Sequence, residues 1–434
     1  MTEPMINVGI MFQPTVRFTL ESSYTFNGTQ FCGENKVEIK EGKILFNGDV
    51  YDEIIFHSSE KNAVFTLHDV VIGIGFHWER KEDQRFKGDL KFIVEDGKIT
   101  AINTLSVEEY LKSVISSEMS ATSSKELLKA HAVISRSWLL YQTYKREQIE
   151  TSDLQYVSDT KNGNEWIKWW DREDHINFDV CADDHCQRYQ GITRASQSLE
   201  MVEDAVEETR GELLFSEGII CDARFSKCCG GIVEEFQNCW EPVSYPYLLK
   251  LYDGDPKDLS VIPDLTNESE AEKWIRTAPA AYCNTKDVKI LSQVLNNYDQ
   301  ETTDFYRWKV SYTFDEISAL IRKRTGLELG EIKELIPRER GYSGRITKLE
   351  ITGTKDSIVI GKELLIRRAL SESHLYSSAF VVDKTETGFT LTGAGWGHGV
   401  GLCQIGAAVM AEKGFAYKNI LSHYFPNSEL KKEY

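Results

Sequence analysis

The chain of 434 residues is 27% charged, 41% hydrophobic and 11% aromatic, an ordinary globular composition that excludes a collagen-like, disordered or low-complexity protein. Its 50 Lys and Arg stand against 68 Asp and Glu, and the net charge of −18, with no basic run to offset it, argues against a nucleic-acid partner. No apolar stretch approaches the roughly twenty residues that span a bilayer, and the start Met1-Thr2-Glu3-Pro4-Met5 carries an acid where a secretory leader has basic residues. Neither a transmembrane segment nor a signal peptide is expected.

From residue 6 to 105 the pattern is strand-like. Lys36-Val37-Glu38-Ile39, Ala63-Val64-Phe65-Thr66-Leu67 and Leu90-Lys91-Phe92-Ile93-Val94 alternate or cluster β-branched residues, and Asn47-Gly48 and Asp96-Gly97 are hairpin turn signals. At Leu105 the period changes from two to 3.6. Ser106-Val107-Glu108-Glu109 reads as a capping box opening a helix whose stripe is Val107, Leu111, Val114 and Ile115. Ser123-Ser124-Lys125-Glu126 reads as a second box, opening a longer helix through Trp138 and Tyr141. The pair is expected to form a helical hairpin. From 254 to 340 the composition turns charged and helical, as at Glu268–Lys273 and Phe314–Ile321, before β-structure returns at Ile346–Ile351 and Ser357–Ile360.

Counting by three and four along the first stripe reaches Glu118 at the helix end. A carboxylate there is partly desolvated, and desolvation raises the pKa of an acid, which suits general acid work. The plainer alternative turns Glu118 to solvent or pairs it with Lys125. Arg136, on the second helix, is placed to reach back across the hairpin and fix a carboxylate or a substrate oxygen, an ordinary ion pair being the alternative.

There are nine cysteines, an odd count that cannot pair completely. His175, Cys181, His185 and Cys186 supply the N/S donors of tetrahedral zinc. A Cys181–Cys186 disulfide and unligated thiols stay open as alternatives. Cys228-Cys229-Gly230-Gly231 reads as a tight turn lining a cleft, a second thiol metal site, or a hairpin with buried cysteines. Gly393 to Gly401 holds five glycines around Trp396 and His398, which lets backbone approach a ligand, or else makes a structural turn around a packed His.

Together these segments resemble the stage II sporulation protein D (SpoIID/LytB) family. The resemblance rests on Ser106 to Leu111 with Ser117-Glu118-Met119, on Ala130 to Arg136, on the Cys181 to Tyr189 loop, on Trp396 to Gly401, and on Ala407 to Gly414 with His423-Tyr424-Phe425-Pro426. It implies a peptidoglycan lytic transglycosylase in the cell envelope or periplasm, with Glu118 as catalytic acid then base and Arg136 as the family's second functional residue. It further implies substrate contacts at Phe225, Lys227, Trp396, His398 and Gln404, and a structural zinc on His175, Cys181, His185 and Cys186. The partners implied are glycan strands and, in the amidase-enhancer branch, a cell-wall amidase, the latter role requiring glycan binding without cleavage. The chain departs from the family where Cys228-Cys229 replaces a Ser-Ser pair, and at Tyr376-Ser377-Ser378. The expected fold is α+β, mainly antiparallel β-structure with a helical hairpin carrying Glu118. Its segments are an N-terminal β-region (1–84), a core in two parts (85–253 and 341–434) and an inserted α/β subregion (254–340).

Overall fold

In the computed structural model the chain alternates between two units, residues 1–146, 172–213 and 431–434 forming one and 147–171 with 214–430 the other. The structure describes residues 2–60, 62–73, 79–120, 123–150, 157–170, 175–183, 185–192, 199–259, 261–294 and 303–434.

The first unit is built on an eleven-stranded sheet. Its hairpins follow the turn chemistry. Asn47 and Gly48 have φ of 50° and 95°, and Asp96 and Gly97 of 46° and 70°, the paired positive dihedrals of a type I′ turn. They join strand Lys43–Phe46 to Asp49–Tyr51 and strand Asp89–Glu95 to Lys98–Ser106. Phe18, Phe56 and Phe92 alternate inward and meet with ring centroids 5.1 to 6.3 Å apart, a core of large apolar area. The first strand, Met5–Gln13, pairs antiparallel with Lys98–Ser106 and parallel with Val180–Cys181, bringing the cysteine loop onto the sheet.

Three helices complete this unit: α1 (Val107–Glu118), α2 (Lys125–Glu150, through residue 146) and α3 (Leu199–Glu208). Ser106 caps α1 by accepting from the Glu109 N–H, while the Glu109 side chain pairs with Lys112 and Lys87 instead of closing the box. For α2 the cap lies one residue later than the sequence suggests, since Ser124 Oγ accepts from the Leu127 N–H. Helix α3 packs against α1, and α2 meets α1 through the pairing of Arg136 with Glu108. Leu199, Val202, Ala205 and Val206 of α3 recur at helical spacing.

The second unit carries α4 (Glu268–Thr277), α5 (Val288–Val294), α6 (Phe314–Thr325), α7 (Glu363–Ala369), α8 (Gln404–Glu412) and α9 (Tyr417–Tyr424). Strand Arg307–Thr313 pairs with Gly388–Ala394, and Ile332–Arg340 pairs with Ile346–Gly353, so 254–340 shares sheets and core with the C-terminal part. That core includes Trp308, Ile317, Ile321, Leu349, Ile351 and Leu391. Among the described residues, no helix is long and apolar enough to cross a membrane.

Candidate functional site

In the first unit, Val107, Leu111, Val114 and Ile115 are fully buried, and the same face brings Glu118 to the last position of α1, where it is half-buried. The Arg188 backbone N–H donates to Glu118 Oε1 at 3.1 Å. Arg188 follows directly on the cysteine loop, which is tied down on both sides. Ala182 N–H donates to Gly9 O at 2.9 Å, and Tyr189 N–H donates to Ala182 O at 3.0 Å. Tyr189 stacks on Tyr110 of α1 with centroids 5.2 Å apart and donates its hydroxyl to Asn103 Oδ1 at 2.6 Å. Burial pushes the Tyr189 and Tyr110 hydroxyls well above their ordinary range, so both stay neutral donors. Cys181 to Asp183 and Arg188 to Gln190 also line a small hollow in this unit, against Gly9 and Val70 to Gly73.

His175, Cys181, His185 and Cys186 converge, their ligand atoms all lying within 4.8 Å of one another. The adjacent pair His185 and Cys186 can serve together because the loop turns sharply, with Cys186 N–H donating to Asp183 O at 3.1 Å. The Cys181 thiol is held far below its ordinary range, first by Cys186 and then, against burial, by His175 and His185. His175 Nε2 is buried without a hydrogen-bond partner. A buried imidazole nitrogen without a partner beside two thiols is a donor set that fits zinc. Among the described residues no cysteine is joined in a disulfide, so the Cys181–Cys186 disulfide is not formed.

Arg136 reaches from α2 to α1 and fixes a carboxylate there, that of Glu108. Its guanidinium is fully buried and pairs with Glu108, not Glu118, and it also donates to Glu212 O at 3.1 Å. Lys125 likewise pairs with Asp204 and Glu208 rather than Glu118. Spacing missed the Glu108 partner because Glu108 lies on the first turn of α1, two residues from the Ser106 cap, away from the stripe that ends at Glu118.

In the second unit the remaining expected residues come together. Strand Phe225–Ser226 pairs in parallel with Leu402–Cys403, and Cys228 and Trp396 exchange backbone hydrogen bonds of 3.0 and 2.7 Å. The Trp396 ring lies between Tyr376 and Phe305, with centroids 4.4 and 4.7 Å away. Lys227 Nζ donates to Val294 O at 2.6 Å. Two of these residues are structural in their surroundings. Gln404 is only 2% exposed at the start of α8. His398 Nδ1 accepts from the Val400 N–H at 3.0 Å and the ring packs 4.8 Å from Trp240, while burial, then Arg224 and Arg345, hold its pKa well below the ordinary range, so it stays neutral.

The glycine run has a purpose that the sequence did not reveal. Arg345, fully buried, donates to Gly397 O at 3.1 and 3.0 Å and to Cys229 O at 3.1 Å. A Cβ on Gly399, whose φ is 79°, would collide with that guanidinium. The run therefore wraps a buried cation.

Residues 95–215 match a family model described as "Stage II sporulation protein", and residues 234–401 match one described only as a domain of unknown function. The chain is 26% identical over 400 residues to an uncharacterized protein of Brachyspira hyodysenteriae, covering 92% of this chain and 81% of that one. It is 23% identical over 332 residues to stage II sporulation protein D of Bacillus subtilis, covering 76% of each. It is also 25% identical over 331 residues to the amidase enhancer of Bacillus subtilis, a match covering 74% of this chain but only 40% of that protein.

Proposed function

We propose that this chain, a member of the stage II sporulation protein D family through its residues 95–215, acts in the cell envelope as a lytic transglycosylase on peptidoglycan glycan strands. The observation that carries the proposal is the pairing of a half-buried, helix-end carboxylate, Glu118, with a fixed backbone donor, the Arg188 N–H. A hydrolytic glycosidase needs a second carboxylate, as nucleophile or to activate water. Intramolecular transfer needs one group that changes role.

Protonated Glu118 gives its proton to the glycosidic oxygen between N-acetylmuramic acid and N-acetylglucosamine, and the bonding pair leaves with that oxygen. The sugar passes through an oxocarbenium-like state. The Glu118 carboxylate then takes the proton from the muramic acid six-position hydroxyl, whose oxygen closes onto the anomeric carbon. The product is a 1,6-anhydro end, and no water is consumed. The Arg188 N–H pins Oε1 and so sets how the carboxyl group is turned through both steps.

Zinc held by His175, Cys181, His185 and Cys186 would fill all its positions with protein ligands and so contribute structure, not a reactive water. Its part is to fix the loop that delivers the Arg188 N–H. Phe225, Lys227 and Trp396 are the proposed glycan contacts in the second unit. Arg136 acts in this proposal as a folding residue.

The test is mass spectrometry of purified glycan, intact and freed of peptides, after digestion. Anhydro ends that vanish with Glu118→Gln are expected; reducing ends alone, or undiminished cleavage by Glu118→Gln, would overturn the proposal. The match to the amidase enhancer favours a second reading, in which the chain holds glycan for a cell-wall amidase without cutting it. Glycan binding without product, together with faster turnover by an added amidase, would mark that role.

A further inference from the structure

The second unit contains a group of metal-donor side chains that the proposed function does not use. Cys229, Asp253, Cys283 and Cys403 are all buried, and their ligand atoms lie within 4.8 Å of one another. They come from four separate stretches: the turn after strand Phe225–Ser226, the residue after Leu251–Tyr252, the segment beyond α4, and the N-cap of α8.

Three features distinguish this group from ordinary buried cysteines. First, the Cys229 and Cys283 sulfurs are 3.6 Å apart, far from the about 2.05 Å of a disulfide. That separation is close to the roughly 3.8 Å edge of a tetrahedron with metal–sulfur bonds of about 2.3 Å. Second, the Asp253 carboxylate is wholly buried with His423 Nε2 4.0 Å from its Oδ1 and no Lys or Arg bridged to it among the described residues, and Cys229 Sγ lies 3.2 Å from its Oδ2. A buried carboxylate without a cation is costly, and a metal ion removes the cost. Third, a supporting shell is in place. Tyr424 donates its hydroxyl to Asp253 Oδ1 at 2.6 Å, the Cys229 N–H donates to Cys403 Sγ at 3.2 Å, and the Gly231 N–H donates to Cys229 Sγ at 3.4 Å. Orienting hydrogen bonds of this kind hold ligands in register.

We propose that Cys229, Asp253, Cys283 and Cys403 form a second metal centre, a closed Cys₃Asp site for zinc that ties together the loops of the second unit. Three thiolates with one carboxylate make a soft-leaning tetrahedral set, and four protein ligands leave no position for water, so the ion is structural. Binding replaces the three thiol protons, which pass to solvent. The ion would cross-link residues far apart in sequence, including the turn after Phe225 to Lys227 and the segment after Gly393 to Gly401.

The experiment uses the full chain with the first donor set silenced by Cys181→Ser and Cys186→Ser. Elemental analysis is expected to find two equivalents of zinc in the parent chain and one in this variant. Cobalt reconstitution of the variant should show thiolate charge-transfer absorption of three-thiolate intensity, lost on adding Cys283→Ser. Because either variant could fail to fold, native alkylation with peptide mapping is done on the parent chain in parallel. Protection of Cys229, Cys283 and Cys403 until a chelator is added supports the site. Ready alkylation of all three in the untreated parent, their recovery as a disulfide, or a folded, metal-free Cys181→Ser/Cys186→Ser variant overturns it.

Discussion

Arg136 grips Glu108 with both arms of its guanidinium, Nε and Nη2 donating to Oε1 and Oε2 at 3.0 and 2.7 Å, and neither side chain is more than 2% exposed. The remaining acceptor capacity of Glu108 is filled by the Tyr434 hydroxyl at 2.7 Å and the Gly211 N–H at 3.2 Å. Removing one partner of such a pair leaves a buried charge uncompensated, at a cost of about 3–5 kcal/mol. Arg136→Met is therefore expected to lose about that much stability in urea denaturation. Adding Glu108→Gln should restore part of it, because the amide removes the stranded charge and keeps an acceptor for Tyr434 and Gly211. An Arg136→Met protein with unchanged stability and lost activity would return this residue to the chemistry.

The loop that presents the Arg188 N–H is also the loop holding Cys181, His185 and Cys186. His185→Ala, or chelation, should lower glycan cleavage at least tenfold while leaving the first unit's sheet intact by circular dichroism. Addition of zinc should restore the chelated protein but not the variant. Full activity in a metal-free protein would sever the link between loop and carboxylate.

Gly9 lies opposite Cys181 in the parallel register, and a Cβ there would meet the Phe178 ring at 2.8 Å. That ring packs on His175 with centroids 4.7 Å apart. Gly9→Ala is expected to cost about 1–3 kcal/mol through overpacking and to weaken zinc retention in a competition assay with a chelating dye.

Acid should loosen the second unit through His374. Burial, followed by Arg367, Arg368 and Arg324, lowers its pKa to about 3. Between the ordinary histidine value and that one, the unfolded chain binds a proton that the folded chain refuses, so stability falls as pH drops across this window. The slope is at most about 1.4 kcal/mol per pH unit for one proton. His374→Gln should flatten the pH dependence of the melting temperature between roughly pH 6 and 4; an unaltered slope would place the acid sensitivity elsewhere.

Local signals were the legible part of this chain. The two type I′ hairpins, the start of α1 at Ser106 and the convergence of His175, Cys181, His185 and Cys186 all depend on residues within about a dozen positions of one another, where turn chemistry, capping and donor spacing act directly. What depends on tertiary pairing was not legible. The partner of Arg136 is fixed by how α2 packs, Arg345 between strands Ile332–Arg340 and Ile346–Gly353 meets a glycine run about fifty residues further along the chain, and Asp253, Cys283 and Cys403 meet only after several strands have paired. Helix α3 is a different case, since Leu199, Val202, Ala205 and Val206 carry a helical period that was there to be counted.

The contact at 3.1 Å to Glu118 Oε1 is made by a peptide group. Every residue except proline brings the same amide hydrogen, so that contact is indifferent to which side chain follows Gln187 and sensitive only to the route of the main chain. Insertions or deletions between Cys186 and Tyr189 are thus the changes that should uncouple the carboxylate, whereas exchanging one residue type for another at that spot leaves the amide where it was.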